Sequence, residues 1–295
     1  MGNYLKIDLH MHSVKSDDGE YTPEQLMKLC HNAGLEVVAI ADHNSVEAVS
    51  DAKIAASALG LTLIPAIELD CVIDDVELHV LGYGINEADV AFANVTASLL
   101  KQEQAAAGTR LQLARDLGLY IDEDKAYELS HHGCITGEVI AEVALMDERN
   151  HAFLKEYLPG GSRSDNPYVN FYWDYCSQGK PAYVKINYMS LEEAIHLIQH
   201  AGGIAVLAHP GNNTKENVDL LNYIFSYDVV GIEAYSSYHT PEQVEFYRNY
   251  AKEHHLCITA GSDFHGKTKP AIHLGEMECV DPEEIYQSKV LHIGI

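Results

Sequence analysis

Apolar residues recur along this chain in short runs, and seven of the runs meet a polar residue able to hold a metal ion. Residues 6–9 lead into His10 and His12, residues 37–41 into Asp42 and His43, and residues 61–67 into Glu68. A run opened by Glu77 and Leu78 carries His79. Residues 204–208 end at His209, residues 229–232 at Glu233, and residues 256–261 at Asp263 and His265. Runs of this length read as buried parallel strands. Polar residues gathered at strand carboxyl ends are where α/β enzymes place their chemistry.

Helical periodicity separates the runs. Thr22 caps a first helix, with Pro23 in its opening turn and Gln25 three residues after the cap. Leu26, Leu29, Cys30 and Ala33 form its buried stripe, and Gly34 ends it. A strand over 37–41, a helix over 45–58, a strand over 62–68, a turn over 70–75 and a strand over 77–83 follow. The pattern changes at Asn86, where helices near 88–117, 123–130, 136–145 and 150–157 are expected. Residues 159–181 hold five aromatic side chains, including the only Trp, among Gly, Ser, Asn and Pro, and read as a structured loop. Alternation resumes at Lys185: Ser190 and Glu193 form a capping box, the helix ends at Gly202-Gly203, and strands over 204–208, 229–233 and 256–261 alternate with helices near 216–225 and 240–253. A terminal element spans 285–293. The expected organisation is a catalytic α/β body formed by residues 1–85 and 182–295, with residues 86–181 as a helical insertion and substrate cap.

The 295 residues carry 19 Lys and Arg against 44 Asp and Glu, a formal net charge of −25. That balance argues against an extended nucleic-acid partner, although bound cations can reverse the sign inside a pocket. No apolar stretch approaches the roughly 18–20 residues of a membrane span. The amino terminus enters a strand pattern at once, so no signal peptide is expected, and it lacks the Ser or Thr of a myristoylation signal. The six cysteines are dispersed and form no CxxC, which reads as reduced, mostly buried thiols in the cytoplasm. No obligate protein partner is inferred.

His10 and His12 are two apart on a strand, so both rings share a face and can reach one ion. Asp17 lies in the following polar loop, where a solvated turn carboxylate is equally natural. Asp42 either ligates or orients a ligating ring such as His43. Glu68 stands where a carboxylate bridging two ions would be needed. His79 reads either as a hydrogen-bonded core histidine or as a ligand. His209 precedes a rigid Pro-Gly turn, and Asp263 and His265 repeat the two-residue spacing of the first pair. So many candidates at one depth exceed the three protein ligands of a single catalytic zinc. They suit two or three ions of Zn, Mn or Fe rather than Ca.

The segments KIDLHMHSVKSDD, VVAIADHN, IPAIELD, ELHVLGYGI, AVLAHPG and TAGSDFHG resemble, in order, the motifs of the PHP (polymerase and histidinol phosphatase) family. The resemblance implies a distorted seven-stranded (β/α) barrel. It also implies three divalent transition-metal ions: His10, His12 and Asp263 on the first, Glu68 bridging to the second, His79 and His209 on the second, and Asp17, His43 and His265 on the third. Asp42 would stand behind the ligands. Many small PHP proteins carry an Ile-Gly-Arg-Pro-His-Ile-Ala-like motif in the insertion. Here residues 135–141 read ITGEVIA, so Gly137 and Val139 occupy the arginine and histidine positions. Arg163, with Lys180 beyond it, is the expected replacement for phosphate binding.

The implied activity is hydrolysis of a phosphate ester of a small metabolite or nucleotide, with metal-bridged hydroxide as nucleophile. Asp42 and His239 are the candidates for proton transfer. Two alternatives remain at this level. One is a phosphodiesterase acting on a cyclic phosphate or oligonucleotide end, and the other is a non-catalytic metal-binding interaction module.

Overall fold

The computed structural model describes residues 6–278 and 280–293. Cys279 and the first five residues, on which the leader and lipidation readings fall, lie outside them. Among the described residues nine strands form: β1 Ile7–Met11, β2 Val37–Ile40, β3 Thr62–Leu63, β4 Ala66–Ile73, β5 Val76–Tyr83, β6 Met189–Ser190, β7 Ile204–Leu207, β8 Val229–Ser236 and β9 Cys257–Gly261. Three of them make a sheet in the order β1-β2-β3, and six make a sheet in the order β6-β4-β5-β7-β8-β9. Two isolated bridges join the sheets, Met11 to Phe264 and His43 to Glu68. The seven longer strands therefore run β1-β2-β4-β5-β7-β8-β9 and return to β1, a distorted barrel with a mixed sheet.

The expectation of parallel strands throughout needs correction. β5 runs antiparallel to both β4 and β7. The expected turn over 70–75 shrinks to Asp74 and Asp75, whose φ values of 45° and 65° suit a tight two-residue hairpin. β4 instead continues through Asp70 to Ile73. Glu68 is thus inside a strand rather than at its end.

The barrel core joins Ile7 and Leu9 to Ile67, Leu69, Val80, Leu81, Val206, Leu207, Ile232 and Ala260, all buried. Helices pack outside, and their starts follow the chain chemistry: Thr22, Ser190 and Thr240 each close a capping box with the residue three later.

Residues 86–181 carry a separate apolar core around Leu111, Ile140, Ala144, Leu154 and Phe171. Its helices are Val90–Asp116, Glu123–Leu129 and Gly137–Met146. The expected helix over 150–157 is replaced by a 3-10 turn at Glu148–Asn150 and irregular chain. The aromatic stretch is instead helical, with an α-helix at Pro167–Phe171 passing into a π-helical turn at Tyr172–Cys176. The five described cysteines are free thiols. No helix among the described residues is long and apolar enough to cross a membrane.

Candidate metal centre

β1 delivers His10 and His12 to the barrel interior, both fully buried. Glu68 on β4 is also fully buried, an uncommon place for a carboxylate without partners. Its Oε2 lies 3.1 Å from His10 Nε2 and 3.2 Å from His12 Nε2. Asp263 Oδ1 lies 3.5 Å from His10 Nε2 and 3.0 Å from His12 Nε2. The other oxygen, Glu68 Oε1, is 2.9 Å from His79 Nδ1 and 3.0 Å from His209 Nε2. Glu68 therefore offers one oxygen to each of two donor groups.

A third group combines His12, His43, His265 and a carboxylate from the loop after β1. That carboxylate is Asp18, whose Oδ2 is 3.1 Å from His265 Nε2. Asp18, one residue after the expected Asp17, is thus the loop carboxylate within this group. Asp17 lines the cavity nearby and is pushed up to about 7 by burial, with Glu103 and Asp18 adding to the effect. A fourth group consists of His43, Asp70 and His79.

These atoms fit metal ions. Two donors each about 2.1 Å from a shared ion stand roughly 3 to 3.5 Å apart, which is the spacing of the first two groups. Glu68 Oε2, Asp263 Oδ1, His265 Nε2, Asp18 Oδ1, His43 Nδ1 and Asp70 Oδ1 are buried without a hydrogen-bond partner. Unpaired buried polar atoms are costly, and so many among these donor groups indicate a cation-binding centre. The donors are imidazoles and carboxylates without thiolate, which suits transition metals in a catalytic rather than a structural site. His12 is pushed down to about 4 by burial and by His265 and His43.

Partners behind the donors hold them in place. Glu233 Oε1 lies 3.0 Å from His10 Nδ1, and Glu233 Oε2 accepts from the backbone N–H of His209 at 2.9 Å. That fixes the His10 ring as carboxylates behind metal-binding histidines do. Gly261 makes the approach possible, since a Cβ there would stand 2.2 Å from His10 Cβ and 2.4 Å from Glu233 Oε1. Lys269, itself buried, places Nζ 2.6 Å from Asp263 Oδ2 and leaves Oδ1 to the histidines. Burial alone would raise the Asp263 carboxyl, but Lys269, His265 and His10 hold it well below its ordinary range. Glu233 stood in the strand pattern, but neither it nor Lys269 had a motif to mark it.

Both proton-transfer candidates turn out to be engaged elsewhere. Asp42 accepts from Ser13 N–H at 2.6 Å and from Ser13 Oγ at 2.8 Å, and so anchors the loop that carries the third group. His239 places Nδ1 2.9 Å from Ala234 O, and its Nε2 accepts from Gly211 N–H at 3.1 Å. It braces the turn after His209.

A cavity of about 250 Å³ opens between the donor groups and the insertion. His43, Asp70 and His79 line its floor, and Arg110, Glu138, Tyr172, Trp173 and Tyr188 line the far wall. Its basic side chains, among the described residues, are Lys15, Arg110 and Lys269. Arg163 is not among them: its Nε and Nη2 each donate to Asp174 at 3.0 Å, so its planar fork is already filled. Lys180 is exposed and also outside the cavity.

The PHP domain model matches residues 8–278, and the chain belongs to this family of metal-dependent phosphoesterases. It is 31% identical over 282 residues to the 5'-3' exoribonuclease Rnm of Salmonella typhimurium, covering 92% of this chain and 89% of the relative. The 3',5'-nucleoside bisphosphate phosphatase of Chromobacterium violaceum is 28% identical, covering 94% and 93%. The phosphoribosyl 1,2-cyclic phosphate 1,2-diphosphodiesterase of Eggerthella lenta is 29% identical, covering 91% and 97%. Among solved structures, a putative metal-dependent phosphoesterase of Bifidobacterium adolescentis superposes with a TM-score of 0.75 at 27% identity, covering 98% of this chain and 96% of that one. An amidohydrolase of Chromobacterium violaceum with bound sulfate gives 0.74 at 26% identity, covering 94% and 92%.

Proposed function

We propose that this metal-dependent phosphoesterase hydrolyses a phosphate ester of a small metabolite or nucleotide and uses three divalent transition-metal ions. The observation that carries the reading is Glu68, fully buried, with each carboxylate oxygen turned to a different group of imidazoles. His10, His12 and Asp263 would hold the first ion with Glu68, His79 and His209 the second, and Asp18, His43 and His265 the third. Bound divalent ions supply Lewis acidity that lowers the pKa of water toward neutrality and offsets charge on a phosphoryl group.

The protein's own residues do the rest. Glu233, Asp42 and His239 fix the donors and their loops in place. Lys269 sets a positive charge at the cavity edge beside Asp263, where an anionic phosphoryl group would enter. The insertion closes the cavity and contributes Arg110, Tyr172 and Trp173 to the wall facing the leaving group. A cavity of about 250 Å³ is at the small end of ligand sites, which favours a metabolite or mononucleotide over a longer chain. The names of the bisphosphate phosphatase and cyclic phosphate diesterase relatives agree with small substrates.

A second reading, removal of a terminal nucleotide from an oligonucleotide, is favoured by the 31% identity to an exoribonuclease. A single panel separates the two. Phosphate release is measured from 3',5'-nucleoside bisphosphates, 5' and 3' mononucleotides, sugar and histidinol phosphates and cyclic phosphates, and nucleotide release from short RNA. A small ester is expected to give the highest kcat/KM. Short RNA exceeding every small ester by decades selects the second reading.

A further inference from the structure

We propose that Asp70 is a metal ligand that binds through Oδ1 beside His43 Nδ1 and extends the donor set beyond the nine residues implied by the family motifs. The proposal rests on the metal-dependent reading above. Asp70 Oδ1 is 3.3 Å from His43 Nδ1 and 3.3 Å from His79 Nε2. Glu68 Oε2 is 3.2 Å from the same His43 nitrogen. His43 Nδ1, Glu68 Oε2 and Asp70 Oδ1 are all buried, and none has a hydrogen-bond partner. Contacts this close without hydrogen-bond alignment are the arrangement expected of atoms that point at a shared ion rather than at one another.

The carboxylate is also aimed. Asn44 Nδ2 donates to Asp70 Oδ2 at 2.7 Å, and Asp70 N–H donates to Asn44 Oδ1 at 3.0 Å. This two-bond clamp occupies one carboxylate oxygen and turns the other toward the histidines. Asn44 is fixed in turn by its backbone, whose N–H donates to Glu68 O at 2.7 Å and whose C=O accepts from Thr96 Oγ1 at 2.6 Å. The strand geometry supplies the placement, because Asp70 follows Glu68 by two residues on β4 and shares its face.

The competing role is indirect, with Asp70 accepting a proton-bearing nitrogen of His79 and only orienting that ring. Two variants separate the roles. The D70N protein keeps the shape and removes the charge. Metal content is measured by elemental analysis after equilibration at graded free Mn²⁺. One ion fewer, or at least a tenfold weaker last ion, is expected. The D70C protein is loaded with Co²⁺, and its near-ultraviolet spectrum is compared with the wild type. A new thiolate-to-cobalt charge-transfer band is expected, which only a sulfur inside the coordination sphere gives.

Unchanged ion number and affinity in D70N overturn the proposal. So does weakened binding in D70N together with a folded D70C that shows no new band, because Asp70 then acts through His79. Should D70C melt before loading, the Co²⁺ d–d absorption of D70N decides: loss of the intensity belonging to one ion supports the proposal, and a wild-type spectrum overturns it. Wild-type protein without bound transition metal, or without phosphate-ester hydrolysis, would strike the parent reading instead, and this is measured on the same preparation.

Discussion

Asp70 and His79 face each other across the β4–β5 hairpin, paired in register, with Oδ1 of one 3.3 Å from Nε2 of the other. Two strands of the barrel are thereby joined through side chains of one candidate donor group. Ion binding and hairpin stability are linked through such a pair. Chelator-treated protein is therefore expected to melt earlier, and added Mn²⁺, Zn²⁺ or Fe²⁺ to raise Tm with concentration. At 100 times Kd, one ion that binds only the folded chain contributes about 2.7 kcal/mol. A Tm independent of metal over several decades of concentration would refute the linkage.

His239 should behave as a brace rather than an acid. The H239A substitution leaves the partly buried N–H of Gly211 without its side-chain acceptor, which costs on the order of 1 kcal/mol, and loosens the turn after His209. A lower Tm and weaker metal binding are expected. The shape of the pH–rate profile should not change, since both ring nitrogens are engaged by backbone groups. Loss of one limb of that profile would restore His239 to proton transfer.

Arg110, and not the expected Arg163, is the arginine that lines the cavity. Arg163 is filled by Asp174, whereas Arg110 lines the cavity wall, paired with Glu103. The R163A protein is expected to keep kcat/KM within about twofold and lose some stability, as befits a partly exposed pair. The R110M protein should change the ranking of esters in a substrate panel. A tenfold fall in kcat/KM for R163A, with R110M silent, would reverse the assignment.

Acid stability offers a test remote from the metal centre. Glu284 accepts from Arg248 Nε at 2.8 Å and Nη2 at 2.7 Å, and these bonds, with Lys252 and Tyr235, lower its pKa to about 2 despite partial burial. A folded pKa below the ordinary 4.5 means the stabilisation is complete above that value and is lost as pH falls toward 2. The E284Q protein should be less stable at pH 7 and show a shallower loss of stability between pH 4.5 and 2. An unchanged slope would show that the clamp contributes nothing.

Much of the barrel was legible because buried strands write themselves as apolar runs, and seven runs became seven longer strands. His10 with His12, and Asp263 with His265, were legible through two-residue spacing. Asp70 was hidden because CVIDD reads locally as a turn, while hairpin pairing with β5 holds it in a strand. Asp17 and Asp18 are adjacent carboxylates in one loop, and only loop geometry decides which reaches His265. Arg163 looked free because Asp174, eleven residues on, is brought to it by a helix the aromatic pattern did not show. Lys269 and Arg110 reach the cavity from elements far apart in the chain, a relationship no local pattern carries.

The most direct test of the account joins metal content to turnover through Glu68. Protein stripped with chelator is reconstituted with one metal at a time. Bound ions and phosphate release from the best small ester are measured on the same samples of wild type and E68Q. About three ions per chain and restored hydrolysis are expected for the wild type. E68Q should lose more than one ion's worth of binding and fall by at least a hundredfold in kcat. Full turnover by the stripped wild type, or normal turnover by E68Q, would contradict the account.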